Sequence, residues 1–262
     1  MKTFDPIHEA EILADYDRDG YVAFDRFLGR ETLDAALGKI ADIRAGRIAG
    51  IPDDRIYFED PTDRSTLKQV QELFKWDPLF HDLMFEGKAR QLAEILLQDE
   101  AVGRNMQYFN KPPRVGQSTP PHQDGYYFML KPCVAVTMWL ALEQVDEETG
   151  CVRYLEGSHK AGIQPHERTE TVGFSQQVKD FSGLGTRYRE RAFPAEPGTL
   201  LAHDAATVHF AGANRSPTRT RQALGFIYYA KRAREDKAAQ AAYQAKLAED
   251  LRRRGALSTD GG

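Results

Sequence analysis

The stretch Pro120-Pro121-His122-Gln123-Asp124-Gly125 decides how the chain is read. In an extended strand, residues two apart point to the same face, so His122 and Asp124 set an imidazole beside a carboxylate. That pair is half of a metal site. A third donor has to come from elsewhere, and Leu200-Leu201-Ala202-His203-Asp204-Ala205-Ala206-Thr207-Val208-His209 offers two histidines on a second apolar run. Two histidines and one carboxylate on one face of a metal, with the other positions open, form the donor set of non-haem Fe(II) oxygenases. A His-x-Asp tripeptide alone carries little weight. Here it has companions: an apolar run after it, a histidine well downstream, and an arginine-bearing strand beyond that.

Composition narrows the field. The chain has 262 residues, 41% hydrophobic and 28% charged, with a formal net charge of −4. These are the proportions of a soluble globular protein with a sizeable core, and we expect one domain. The net charge offers no general attraction for nucleic acid or an anionic membrane, so neither is expected as a partner. Two cysteines, Cys133 and Cys151, in a chain too large to need staples suggest a reduced compartment. No apolar stretch approaches the length of a membrane span, and the start Met1-Lys2-Thr3-Phe4-Asp5-Pro6 lacks a secretory apolar run. The expectation is a cytoplasmic protein.

Residues from Ala10 to about Gly46 read as helix, turn, helix, with Leu33, Ala36, Leu37, Ile40 and Ile43 at helical spacing. A short strand is expected within Gly20–Leu28, ahead of the second helix. Gly46 to Pro61 reads as a loop with one short strand, from which Arg55 and Tyr57 would reach a pocket mouth. A helical block follows over roughly Lys68 to Gln98, broken at Asp77-Pro78. Beyond Gly103 the texture turns to short strands: Arg104–Asn110, Tyr126–Met129, Cys133–Leu142, Gly150–Leu155, Ala192–Phe193, Thr199–His203, Val208–Phe210 and Gln222–Tyr229. Short strands parted by turns predict an antiparallel sandwich or jelly roll. Gly183-Leu184-Gly185 reads as a turn, and Ala230–Arg254 as a solvated helix.

Of the two downstream histidines, His209 is the better third donor, because Asp204-Ala205-Ala206 reads as a turn between two strands. After His209 the segment Phe210–Pro217 hands the chain to a strand bearing Arg219 and Arg221. An arginine there can grip a dicarboxylic cosubstrate with two parallel hydrogen bonds, which lysine cannot.

The dress of His122-Gln123-Asp124, Trp139-Leu140-Ala141-Leu142, Gly150-Cys151-Val152, Gly157-Ser158-His159, and His209 with Asn214-x-Ser216 and Arg221 resembles the phytanoyl-CoA dioxygenase family of Fe(II)/2-oxoglutarate oxygenases. Asp19-Gly20-Tyr21-Val22 with Phe27-Leu28 is similar to that family's opening. The resemblance runs from about Tyr16 to Tyr229. It implies an α+β, mainly β fold: a double-stranded β-helix (jelly roll, cupin-like) core over about residues 104–230. Helices over about 1–100 and a C-terminal helix over about 231–254 would flank it.

The resemblance also implies a site. His122, Asp124 and His209 would ligate Fe(II), with 2-oxoglutarate and O2 as cosubstrates. Arg221 would hold the distal carboxylate of 2-oxoglutarate, with Arg219 the fallback, and Gln107 and Trp139 would contact the cosubstrate. Tyr126 and Tyr127, directly after the motif, would line the substrate side with Arg55. His159 would belong to a structural turn. Related halogenases carry a small residue in place of the carboxylate, so Asp124 favours hydroxylation over halogenation, and the resemblance implies hydroxylation or another oxidation of an unactivated C–H of a small organic molecule, with succinate and CO2 released. Leu155-Glu156 before Gly157 and Phe210 after His209 depart from the family's pattern. Two rival readings stay open: a jelly-roll module that binds metal or senses a ligand without turnover, and hydrolysis by a Zn2+-bound water on the same donors.

Overall fold

A computed structural model of the chain describes all residues other than 49, 61, 170–175, 244 and 246–262. In chain order the helices are α1 (Glu9–Asp19), α2 (Arg30–Arg44), α3 (Pro78–Phe85), α4 (Lys88–Leu97), α5 (Asp124–Phe128) and α6 (Phe181–Arg187). The strands are β1 (Tyr21–Phe24), β2 (Ile56–Phe58), β3 (Leu67–Val70), β4 (Ala101–Asn110), β5 (Thr119–His122), β6 (Leu130–Lys131), β7 (Ala135–Ala141) and β8 (Val152–Leu155). They continue with β9 (His166–Arg168), β10 (Gln176–Val178), β11 (Glu190–Phe193), β12 (Leu200–Asp204), β13 (His209–Ala211), β14 (Gln222–Ala230) and β15 (Arg234–Glu235).

Two antiparallel sheets carry the site, a seven-stranded one in the order β1-β12-β7-β14-β4-β3-β2 and a four-stranded one in the order β11-β8-β13-β5. They are the faces of the expected jelly roll. Strand alternation splits the larger sheet in two. Met106, Tyr108, Val136, Met138, Leu140, Leu200, Ala202, Leu224, Phe226 and Tyr228 pack outward against the buried faces of α1, α2, α3 and α4. The residues between them, Gln107, Phe109, Thr137, Trp139, His203, Gly225 and Ile227, face inward and line a cavity against the smaller sheet. One sheet face is therefore spent on the apolar core and the other on the site.

Several expectations need correction. Tyr126–Met129 is not a strand but most of α5, which starts from extended Gln123 and ends at Met129 in the left-handed region (φ 50°). Its start is docked: a Cβ on Gly125 would lie 2.6 Å from Cys133 Sγ, and the Gly125 N–H donates to Ala205 O (2.8 Å). Gly183-Leu184-Gly185 lies inside α6, where Asp180 caps the helix by accepting from the Gly183 N–H. The block expected to be helical from Lys68 opens with β3, paired to β2 and β4. The break at Asp77-Pro78 is a helix start, with the Asp77 side chain accepting from the Leu79 N–H. Residues 237–243 are helical, and most of the remaining expected C-terminal helix lies outside the described residues. Among the described residues, no helix is long and apolar enough to cross a membrane.

Candidate metal centre

His122 closes β5, Asp124 opens α5 and His209 opens β13. β5 and β13 pair antiparallel with His122 directly opposite His209, which sets the imidazoles 4.1 Å apart between centroids. His122 Nε2 lies 3.5 Å and His209 Nε2 3.9 Å from Asp124 Oδ1. One donor atom from each of the three residues lies within 4.8 Å of the others, close enough to share a metal ion. Each imidazole is oriented by its far nitrogen. His122 Nδ1 donates to Pro120 O (2.8 Å) and His209 Nδ1 to Thr207 O (3.1 Å), which leaves both Nε2 lone pairs facing Asp124. His122 and Asp124 do meet, but by a strand end turning into a helix rather than along one strand.

The charge balance suits a cation. Burial pushes the Asp124 carboxyl up, yet the histidines around it outweigh burial and hold it well below the usual carboxylate range. Burial, then the neighbouring His122 and His203, hold His209 well below the usual imidazole value. Two imidazoles and a carboxylate on one side of a water-accessible cavity fit a divalent first-row metal.

Sequence reasoning missed the residues behind the carboxylate. Thr137 Oγ1 donates to Asp124 Oδ2 (2.5 Å), and His203 Nε2 lies 3.3 Å from the same oxygen. Asp204-Ala205-Ala206 is the expected turn, with the Thr207 N–H donating to Asp204 O (2.8 Å), yet His203 at its near end still reaches the site. Gln123 points away from the cavity. Its amide donates to Gly162 O (3.0 Å) and Ala206 O (2.5 Å), while its Oε1 accepts from the Gln164 N–H (2.7 Å). The residue between the two motif donors thus ties three loops together. The turn at His159 is structural, as expected: His159 Nε2 donates to Asp17 O (3.1 Å), and Ser158 Oγ accepts from the Val208 N–H (2.9 Å).

The cavity, about 490 Å3, extends from the triad to a cationic end. Arg221 is buried there at 4% exposure, its guanidinium 5.3 Å over the Trp139 ring and its Nε donating to Gly150 O (3.2 Å). Among the described residues no carboxylate pairs with it, and burial pulls its pKa down to about 10. Lys111, which sequence reasoning overlooked, lies close by, its Nζ donating to Gln117 O (2.8 Å) and Gly212 O (2.6 Å). Burial, then Arg221, hold Lys111 well below the usual amine value. Arg219 is elsewhere: it is over a third exposed and paired with Asp146 (2.8 Å) and Glu148.

The other expected site residues divide. Gln107 lines the cavity and accepts from the Gln69 amide, and Tyr127 lines it with its hydroxyl donating to Gln176 O (3.0 Å). Phe210 lines it too, packed edge-on to Phe181 of α6 with centroids 5.0 Å apart. Tyr126 and Arg55 are not among the lining residues. Tyr126 stacks on His166 at 4.1 Å, and Arg55 is held by Glu72 (3.0 Å) and Asp54 (3.3 Å).

Against this geometry, a family model described as Phytanoyl-CoA dioxygenase (PhyH) matches residues 16–223, which contain all three donors and Arg221. The chain belongs to the phytanoyl-CoA dioxygenase family. Among family relatives, phytanoyl-CoA dioxygenase domain-containing protein 1 of Danio rerio is 30% identical over 172 residues, 64% of this chain and 58% of its own length. The peroxisomal phytanoyl-CoA dioxygenase of Bos taurus is 23% identical over 201 residues, 74% of this chain and 56% of its own. The chain thus spans little more than half the length of these two relatives. Among solved structures, EctD from S. alaskensis with 2-oxoglutarate and 5-hydroxyectoine superposes with a TM-score of 0.72 at 20% identity, covering 87% of this chain and 79% of that one. The epimerase SnoN in complex with Fe3+, alpha ketoglutarate and nogalamycin RO gives 0.70 at 22% identity, covering 87% and 86%. At these identities the likeness establishes the shared jelly-roll fold.

Proposed function

We propose that this protein is an Fe(II)- and 2-oxoglutarate-dependent dioxygenase that hydroxylates a C–H bond of a small organic molecule. The observation that carries the reading is Arg221: a buried guanidinium, stacked on Trp139 and lacking an acidic partner among the described residues, in the same cavity as two imidazoles and a carboxylate. Leaving a charge buried without a counter-ion is costly, so the cationic end requires an anion. A dicarboxylic keto acid meets that requirement with one carboxylate and reaches the metal with its other end. Membership of the family supports the same reading, as do related structures that hold 2-oxoglutarate.

In this assignment His122, Asp124 and His209 hold iron, and Arg221 grips the distal carboxylate, with Lys111 adding positive charge beside it. Iron with 2-oxoglutarate and O2 supplies the oxidising chemistry, and succinate and CO2 leave. The rest falls to the chain. The Nδ1 hydrogen bonds of His122 and His209 aim the donor atoms, and Trp139 holds the guanidinium plane. Tyr127, Phe109 and Phe210 contribute aromatic wall to the cavity, and the Gln69–Gln107 pair adds hydrogen-bonding groups there. We assign no substrate roles to Arg55 and Tyr126, which are engaged outside the cavity, and none in cosubstrate binding to Arg219.

The test is an anaerobic titration of the metal-free protein with Fe(II) and then 2-oxoglutarate, followed through the weak visible charge-transfer band of the chelated keto acid. The band is expected in the wild type and absent in Arg221→Ala at the same concentrations. Tight metal binding with no band would overturn the dioxygenase reading in favour of a non-redox metal module.

A further inference from the structure

Asp124 has two carboxylate oxygens in different surroundings. Oδ1 faces His122 Nε2 (3.5 Å) and His209 Nε2 (3.9 Å), the side on which the three donors converge. Oδ2 faces the larger sheet, where Thr137 Oγ1 donates to it (2.5 Å) and His203 Nε2 approaches at 3.3 Å. Behind His203 stands Tyr154, buried, with its hydroxyl 3.0 Å from His203 Nδ1. The directions follow from what each group can do. A carboxylate only accepts, so His203 Nε2 carries a proton toward Asp124, and in the neutral ring the bare Nδ1 accepts from the Tyr154 O–H. Tyr154 is itself immobilised, stacked on Tyr21 with centroids 4.7 Å apart, and Tyr21 donates to Glu156 (2.5 Å).

The sheet register builds this arrangement. His203 on β12 lies directly opposite Thr137 on β7, so the two Oδ2 donors come from one cross-strand pair. Tyr154 on β8 is the cross-strand partner of His209, so the residue that orients His203 also sits beside a proposed ligand. His203 and His209 have ring centroids 4.2 Å apart, yet only one of them turns Nε2 toward Oδ1.

We propose that His203, oriented by Tyr154 and assisted by Thr137, is a positioning residue that holds Asp124 as a one-oxygen ligand, keeping Oδ2 out of the coordination sphere and the facing metal positions open. This rests on the assignment of His122, Asp124 and His209 as the metal ligands. A carboxylate free to turn would close over the metal with both oxygens and take up a position that a chelating cosubstrate needs. Engaging Oδ2 with two donors from a rigid sheet prevents that turn without adding a ligand, and such outer partners shape metal affinity strongly.

Co(II) reports the geometry without turnover, because its visible d–d bands depend on coordination number and its binding can be titrated directly. Wild type, His203→Phe, His203→Gln, Thr137→Val and Tyr154→Phe are compared, with Asp124→Ala as the ligand-loss reference and circular dichroism checking each fold. His203→Phe is expected to weaken Co(II) binding by about 10–100-fold and to change the d–d spectrum. His203→Gln, whose amide carries a donor at the same reach, is expected to restore most of both. Thr137→Val and Tyr154→Phe should each shift the spectrum less. A wild-type spectrum and affinity in folded His203→Phe would overturn the proposal. So would a loss in His203→Phe as complete as in Asp124→Ala and not recovered by Gln, because His203 would then be a ligand. Absence of Co(II) binding by the wild type would instead overturn the triad assignment, and this proposal with it.

Discussion

Replacing Arg221 by lysine keeps a positive charge and removes the planar fork, so it separates charge from geometry at the cationic end. Each charged hydrogen bond contributes roughly 1.5–3 kcal/mol. Losing one of the two that a guanidinium can offer a carboxylate is therefore expected to raise the 2-oxoglutarate requirement about tenfold or more. Arg219→Ala, which removes a surface ion pair with Asp146 and Glu148, is expected to leave that requirement unchanged. Steady-state succinate release against 2-oxoglutarate concentration checks both, and the opposite ranking would move the clamp to Arg219. At this scale the sequence was informative where chemistry sits inside a short motif: His122 and Asp124 stand out by type and spacing, while His209 is preferred to His203 only through the turn at Asp204-Ala205-Ala206 and the family resemblance. Thr137, Tyr154 and Lys111 do not stand out. Thr137 and Tyr154 are ordinary strand residues, and Lys111 the residue after β4, until pairing brings them to the site, as when β12 sets His203 opposite Thr137.

Elements place the donors through Gln123, which is fully buried and bonded to the loops at Gly162, Gln164 and Ala206. Gln123→Ala leaves the Ala206 carbonyl and the Gln164 N–H without this partner, while Gly162 O keeps the Gln164 side-chain amide (3.1 Å). With each unsatisfied group costing about 1–3 kcal/mol, partly relieved by water entering the gap, we expect a loss of about 2–4 kcal/mol. Urea unfolding of the metal-free protein reads it as a lower midpoint, and a midpoint equal to wild type would show that these loops hold β5 and α5 by other means. The same element explains an error of reading. Tyr126-Tyr127-Phe128-Met129 has the composition of a strand, but Asp124 begins a helix docked by the Gly125 N–H on Ala205 O, a contact made far away in sequence. Local propensity yielded to tertiary docking there, and again at Gly183-Leu184-Gly185, where the Asp180 cap carries two glycines into α6.

Across the whole molecule the jelly roll was legible because short apolar runs alternate with turns, and because one face of each long strand has to be apolar. In β4 the alternation is visible in the letters: Met106 and Tyr108 pack on the helices, while Asn105, Gln107 and Phe109 face the cavity. What could not be read was which inward face would stay open, since that depends on how far apart the two sheets stand. An open cavity holding Asp124 and His209 together with Arg221 and Lys111, neither of which has an acidic partner among the described residues, has a consequence for stability. The folded chain buries the Arg221 guanidinium beside the Lys111 amine, a cost that a bound dianion relieves only in the folded state. At about one hundred times its dissociation constant, a ligand that binds only the folded chain contributes about 2.7 kcal/mol. For a chain of this size that raises Tm by roughly 5–10 °C. Thermal unfolding with Co(II) and 2-oxoglutarate together is expected to show such a rise in the wild type. In Asp124→Ala the metal's share should vanish and that of 2-oxoglutarate, which reaches the metal, should fall; in Arg221→Ala only the share of 2-oxoglutarate should be lost. Equal stabilisation of all three proteins would place the ligands outside this cavity. The two variants losing different shares would place the metal at the triad and the distal carboxylate of the keto acid at Arg221.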